Sequence, residues 1–422
     1  MKQPEIKEIA KVDLLKFEKR ILANGLPMYI INAGKQELIK VDVLFDAGNA
    51  FSKDPVLASA VNALLNDGTT KHSSADIAKI IDGKGAFYTQ DIQQDYSQTS
   101  MYLLSKFTKE LMPLFLETLT DSVFPEHEVD MFKRNMKQRF LVEHEKVDVQ
   151  SKQAFINALF GRDSIYADRS TAESYDALSR SEMLSFYSKR IKSSPKHIIV
   201  SGKVDNAIAE SIARQFENIK LDYLIDPTEQ IIYGDRLSAE EWTKIPGKNN
   251  QQVSMRIGMP SILPDHKDFL GLSLLTTILG GYFGSRLNKV IREEKGLTYG
   301  VHGHLRRLKH TSFLTIYAEL NASNWEEAYD AIIDVFNDLK NNLVSDTELE
   351  MVRRYIKGSL LQSIDGAFQF STYHRNTIVY NLKEDRINRY IQYLDQVKAP
   401  ELKRLAQQYL VEKNFIKIIA GV

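Results

Sequence analysis

The chain has 422 residues, 43% of them hydrophobic and 26% charged, and its 55 Lys and Arg balance 55 Asp and Glu. This is a globular composition long enough for two or three domains, and a balanced charge gives no electrostatic reason to expect nucleic acid or an anionic membrane as partner. The absence of cysteine excludes disulfides, Cys-ligated metal and a thiol nucleophile. No apolar run approaches the roughly 18–20 residues needed to span a bilayer. The N-terminal stretch alternates charged and apolar residues without a signal-peptide core. The expected location is therefore cytoplasmic, with a periplasmic one open if a leader has been removed.

In chain order, Leu26 to Ile31 follows the Asn24-Gly25 turn signal and is expected to pair as a strand with Ile39 to Phe45. A helix from Val56 to Asn66 ends near Gly68, and Ser73 or Ser74 caps a second through Ile81. Strands are expected over Phe87 to Gln90 and Gln98 to Leu104. A long helix then covers Lys106 to Val123, breaks at Pro125 and resumes from Glu126 to Leu159. A helix over Glu182 to Arg190 and a strand over His197 to Gly202 close this half.

The stretch from Leu221 to Trp242, with Asp226-Pro227 and Gly234, reads as a connector. After it the same order of elements returns: a strand at Val253 to Met259, a helix at Phe269 to Leu279, and a break at Gly280-Gly281. Thr298 to Leu305 and Ser312 to Glu319 are strands, followed by helices over Trp325 to Leu339 and Asp346 to Asn381. Helices at Arg386 to Leu394 and Pro400 to Leu410 precede a last strand at Phe415 to Ala420. Two homologous halves are expected, residues 1–220 and 243–422 joined by 221–242. Each would be a mostly antiparallel sheet with long helices on one face, an α+β class.

Residues 278–287, Ile-Leu-Gly-Gly-Tyr-Phe-Gly-Ser-Arg-Leu, are followed at 291–300 by Ile-Arg-Glu-Glu-Lys-Gly-Leu-Thr-Tyr-Gly. This pattern resembles the C-terminal signature of the pitrilysin, insulinase and mitochondrial-processing-peptidase family of zinc peptidases. Asn24-Gly25-Leu26, Gly68-Thr69 and the element order extend the resemblance over nearly the whole chain. Family peptidases carry His-x-x-Glu-His on the helix before that Gly-Thr. Residues i and i+4 share a helix face, so two imidazoles can hold one zinc while the glutamate reaches its bound water.

Counting back from Gly68-Thr69, the corresponding positions are Ser59, Asn62 and Ala63. A neutral hydroxyl is a poor zinc ligand, a methyl is none, and an amide accepts no proton near neutral pH. The family's distal acidic ligand would fall near Gln138 and Arg139, with Glu143 as the nearest carboxylate. No zinc or other cofactor is therefore expected in this chain.

The resemblance implies a non-catalytic member of the two-chain bacterial type. In two-chain relatives the chain without zinc supplies an Arg and a Tyr to its partner's active site, which assigns those roles here to Arg292 and Tyr299. A phenol and a guanidinium aimed at the oxyanion of a tetrahedral intermediate would stabilise it. The expected partners are a homologous zinc-bearing subunit and peptide substrates, and no independent activity is expected. A structural protein and a homodimeric peptide-binding module without peptidase activity are the alternatives.

Plainer readings compete. Arg292 beside two glutamates suits a solvated helix end, and Tyr299 in an apolar strand suits packing. Gly280-Gly281 matches neither phosphate-binding motif. His127, His144 and the set His302, His304 and His310 show no recognised ligand spacing. Phe368, Phe370 and Tyr373 read as core.

Overall fold

A computed structural model describes residues 8–222, 241–247 and 251–422. Most of the expected connector, residues 223–240, lies outside the described residues.

Six strands form the first sheet: β1 (Glu18–Ile21), β2 (Pro27–Asn32), β3 (Leu38–Phe45), β4 (Phe87–Ile92), β5 (Ser97–Leu104) and β6 (Pro195–Gly202). Their spatial order is β1-β2-β6-β3-β5-β4. The expected pairing of the second and third strands is therefore replaced, because β6 lies between them, parallel to β2 and antiparallel to β3. Its run Ile198–Val200 is buried on both faces, and a strand without a polar face is satisfied only inside a sheet.

Helices α1 (Pro55–Ala63), α2 (Ser74–Gly83) and α3 (Thr108–Thr120) contribute to the main core on one face of this sheet. The start of α1 is fixed by Asp54, which accepts from the Val56 amide, with Pro55 in the first turn. The Ser73 side chain and Asp76 cap α2 reciprocally. Next come α4 (Glu126–His144), α5 (Val147–Phe160), α6 (Ala172–Ala177), α7 (Arg180–Tyr187) and α8 (Asn206–Glu217).

The second sheet holds β7 (Trp242–Ile245), β8 (Gln252–Ser261), β9 (Val301–Arg307), β10 (Ser312–Asn321) and β11 (Ile416–Ala420), in the order β7-β11-β8-β10-β9. This matches β2-β6-β3-β5-β4 strand for strand, including one parallel pair beside antiparallel ones. Helices α9 (Phe269–Thr276), α10 (Trp325–Asn341), α11 (Asp346–Gln362), α12 (Gly366–Val379), α13 (Arg386–Gln396) and α14 (Ala399–Tyr409) complete the chain. All but α12 add to the second core. The fold is the expected α+β class. No described helix is long and apolar enough to cross a membrane.

Two helices expected to be continuous are broken, for one shared reason. The stretch Glu126 to Leu159 divides where Lys146 becomes extended, separating α4, with Val129 as its single buried residue, from α5, with five. Asp346 to Asn381 divides before Gly366, whose φ is +82°. Each C-terminal piece crosses to the other sheet. On α5, Phe155, Leu159 and Phe160 pack against Phe313, Ile416 and Ile418 of the second sheet. On α12, Ala367, Phe370 and Tyr373 pack with Tyr29, Ile31 and Ile199 of the first. A Cβ on Gly258 would stand 2.3 Å from the Leu314 carbonyl oxygen and 2.6 Å from a Phe155 ring carbon, so only glycine admits α5 this closely.

Candidate functional site

Helix α1 carries its apolar residues Val56, Ala58, Ala60 and Val61 into the core. At the positions corresponding to the family motif, Asn62 is 4% exposed and its Oδ1 has no hydrogen-bond partner. The Ser59 hydroxyl lies 3.4 Å from Asn49 Oδ1, and Ala63 faces solvent. Hydroxyl, amide and methyl do not fit zinc. Glu143 does not make up the deficit, since both of its oxygens accept from Lys146 Nζ at 2.8 Å. Among the described residues, no group of three or more His, Cys, Asp or Glu is placed to hold a metal ion.

The segment 277–300 is built differently. Thr277–Gly281 forms a π-helical turn after α9. A Cβ on Gly280 would meet the Gly303 amide nitrogen at 2.7 Å, so this glycine lets the turn lie against β9 and is not part of a phosphate cradle. Asn288 then staples the segment to the sheet. Its amide donates to the carbonyls of Tyr282 at 3.2 Å and Val301 at 2.9 Å, and its oxygen accepts from the Val301 amide at 3.1 Å. Arg286 makes a fork to Glu348 at 2.8 and 2.7 Å and reaches Asp338 at 2.5 Å, tying the loop to α10 and α11. Its role is structural.

Arg292 lies on the π-helical stretch Asn288–Glu294, with its guanidinium carbon 3.9 Å from the centre of the Phe283 ring. Its side chain is 30% exposed and comes within 3.9 Å of the Glu293 carboxylate, and Nη1 has no hydrogen-bond partner. The contact with Glu293 is therefore a loose one, and the cation is held mainly by the aromatic face.

Tyr299 departs from expectation. Strand β9 begins at Val301, so Tyr299 sits in a loop and not in a strand. Its relative exposure is 102%, which removes the packing reading. The loop backbone is nevertheless anchored, by buried Leu297 on one side and by the Thr298 hydroxyl donating to the Glu319 carbonyl at 2.6 Å. Among the described residues, no hydrogen bond or ring contact joins Arg292 to Tyr299 directly. Phe283 and Asn288, which position this segment, were not singled out from sequence. The aromatic pair Tyr282-Phe283 between Gly281 and Gly284 was the available signal for the former.

The remaining histidines are scattered or stacked. His127 is exposed beside Glu128, and His144 stacks on Phe140 with centroids 4.9 Å apart. His302 and His304 share a sheet face with parallel rings 6.3 Å apart. Phe370 and Tyr373 are buried, as expected of core residues.

Comparison with known proteins agrees with this anatomy. Residues 177–356 match the family described as the peptidase M16 inactive domain. An uncharacterized zinc protease, YmxG of Bacillus subtilis, is 20% identical over 407 residues, covering 94% of this chain and 96% of its own. A non-peptidase homolog, YmxG of Helicobacter pylori, is 22% identical over 305 residues, covering 72% of this chain and 70% of its own. The crystal structure of a peptidase M16 inactive domain from Pseudomonas fluorescens superposes with a TM-score of 0.82 at 22% identity, over 96% of this chain and 98% of that one. The Ser285-Arg286-Leu287 turn and the Arg292 to Tyr299 segment both lie inside the matched span, so the chain is similar to the peptidase M16 inactive domain over residues 177–356 and shares its fold along nearly the whole length, while Ser59, Asn62 and Ala63 offer no zinc-binding set.

Proposed function

We propose that this chain is the zinc-free subunit of a two-chain metallopeptidase, completing with Arg292 and Tyr299 an active site whose zinc belongs to a homologous partner. The observation that carries this reading is the display of Tyr299, a fully exposed phenol on an anchored backbone. Such a group is free to donate to an external oxygen from a fixed place on the surface, as stabilising charge that develops in the transition state requires. Arg292 supports the same role, because the Phe283 ring holds its charge without neutralising it.

The chemistry assigned to this chain is limited to that donation. The Tyr299 O–H and the Arg292 guanidinium would face the carbonyl oxygen of the peptide bond as it becomes an oxyanion. The partner supplies the hydrolytic water, and α1 of this chain contributes no proton transfer.

The test is reconstitution. The purified chain is mixed with a zinc-bearing homologue and peptide hydrolysis is followed. Loss of one such donor lowers the rate by about 100-fold, so Tyr299→Phe and Arg292→Ala are each expected to lower kcat by roughly that factor with assembly unchanged. Wild-type rates for both variants would remove the assignment, and a stable homodimer that excludes the homologue would replace the heterodimer by a peptide-binding module.

A further inference from the structure

Helix α5 covers only part of the outer face of the second sheet. Beyond it, the strand register aligns Arg256 of β8 with Tyr317 of β10 and His302 of β9, and Thr315 with His304. Arg306 follows two residues further along β9. Alternate residues share a face, so these side chains form one continuous shelf. The Arg256 guanidinium lies 4.5 Å from the centre of the Tyr317 ring. His302 and His304 stand 5.0 and 5.9 Å from the same ring. The shelf starts at the loop that displays Tyr299, since a Cβ on Gly300 would lie 3.3 Å from His302 Nε2.

Among the described residues neither Arg256 nor Arg306 makes an ion pair. Arg256 is 9% exposed and its buried Nε has no hydrogen-bond partner, and neither has the Thr315 hydroxyl beside it. Asp148 at the start of α5 is the carboxylate acting on Arg256, and Glu319 accepts from Gln252. Burial together with the charges of Arg306, His302 and Arg256 pushes His304 down to about 4. A buried, unpaired guanidinium is unfavourable until an anion joins it, and a carboxylate matches its geometry.

We propose that Arg256, His302, His304, Arg306 and Tyr317 form a binding shelf for the carboxylates of an acidic peptide segment. That the ligand is a peptide rests on the proposed function; the preference for carboxylate rests on the shelf itself. Acidic side chains and a free C-terminus offer the same group, so the test separates them. Anisotropy is measured on the full chain at low salt with three labelled peptides: a Glu-rich one with an amidated end, a neutral one with a free end, and a Lys-rich one.

The Glu-rich peptide is expected to bind at least tenfold more tightly than the Lys-rich one. A comparable gain for the neutral peptide would assign the shelf to C-terminal carboxylates. Arg306→Glu and His302→Glu, both at exposed positions, are expected to abolish that preference, and Lys109→Glu on α3 to retain it. Equal binding of acidic and basic peptides, or an unchanged preference in Arg306→Glu, overturns the proposal. The isolated chain suffices for this measurement. An acidic preference together with a reconstituted rate indifferent to Tyr299→Phe would keep the shelf and dismiss the active-site role.

Discussion

His374 of α12 gives the sharpest test of how the halves are joined. It is 3% exposed, with its ring centre 4.0 Å from that of Phe17 and 4.8 Å from that of Tyr29, and its Nε2 has no hydrogen-bond partner. Burial, helped by the positive charge of Arg386, pushes its pKa down to about 4. In the unfolded chain it returns to about 6.5. Between these values the unfolded state binds the extra proton, so stability is intact above pH 6.5 and falls as the pH drops toward 4. Taking pH 7.5 to 5.0, this one group removes about 2 kcal/mol. The assay is urea unfolding followed by circular dichroism at both pH values, for the wild type and His374→Leu. Comparing each protein with itself cancels the packing change, and the variant is expected to lose about 2 kcal/mol less than the wild type across that interval. Parallel losses would show that the ring is not held neutral at this interface, and the argument would fail.

Two further outcomes follow from the crossed helices. Phe155→Ala removes a ring buried between α5 and the second sheet, and is expected to lower stability by about 3–5 kcal/mol in a urea melt. Loss of less than 1 kcal/mol would mean that α5 contributes little to joining the halves. Lys40 and Asp42 form an ion pair 2.9 Å apart with side chains 5% and 2% exposed, and Asp42 also accepts from Gln98, Ser100 and, across the halves, Ser371 of α12. Lys40→Met leaves that carboxylate unpaired and is expected to cost about 3–5 kcal/mol, with Lys40→Met/Asp42→Leu more stable than the single variant; the reverse order would refute the pairing.

Local chemistry was legible in the sequence where the signal is itself local. Ser73 marks the start of its helix because its side-chain oxygen caps a backbone amide three residues on, whereas the Asp54 cap of α1 emerged only in the structure. Helix α8 carried the same information, an Asp205 cap and Ala209, Ile212, Ala213 and Phe216 on one face, and was overlooked beside the connector. The position of β6 was not legible, since which strands flank it is decided by a chain more than 150 residues distant in sequence. Neither was the break at Lys146, which has no Gly or Pro and arises because α5 is buried against a different sheet from α4. At the site, the segment holding Arg292 and Tyr299 was recognisable by its pattern. The emergence of Tyr299 from the sheet depends on where β9 begins, and Asn288 decides that by bonding Val301 from a separate turn.

Helix α1 and Tyr299 differ in what each contributes to folding. Helix α1 does not need zinc ligands to exist, because Val56, Ala58, Ala60 and Val61 bury one of its faces, and the core is closed with Ser59, Asn62 and Ala63 in place. Tyr299 is the opposite case. A wholly exposed ring gains nothing from burial. Leu297, Thr298 and Asn288 nonetheless fix the backbone on either side of it. Those contacts are internal and would serve equally well with alanine at 299, so packing does not account for the phenol. A fixed backbone carrying a free donor is what recognition of an outside group requires, which places the explanation for Tyr299 beyond the chain's own core.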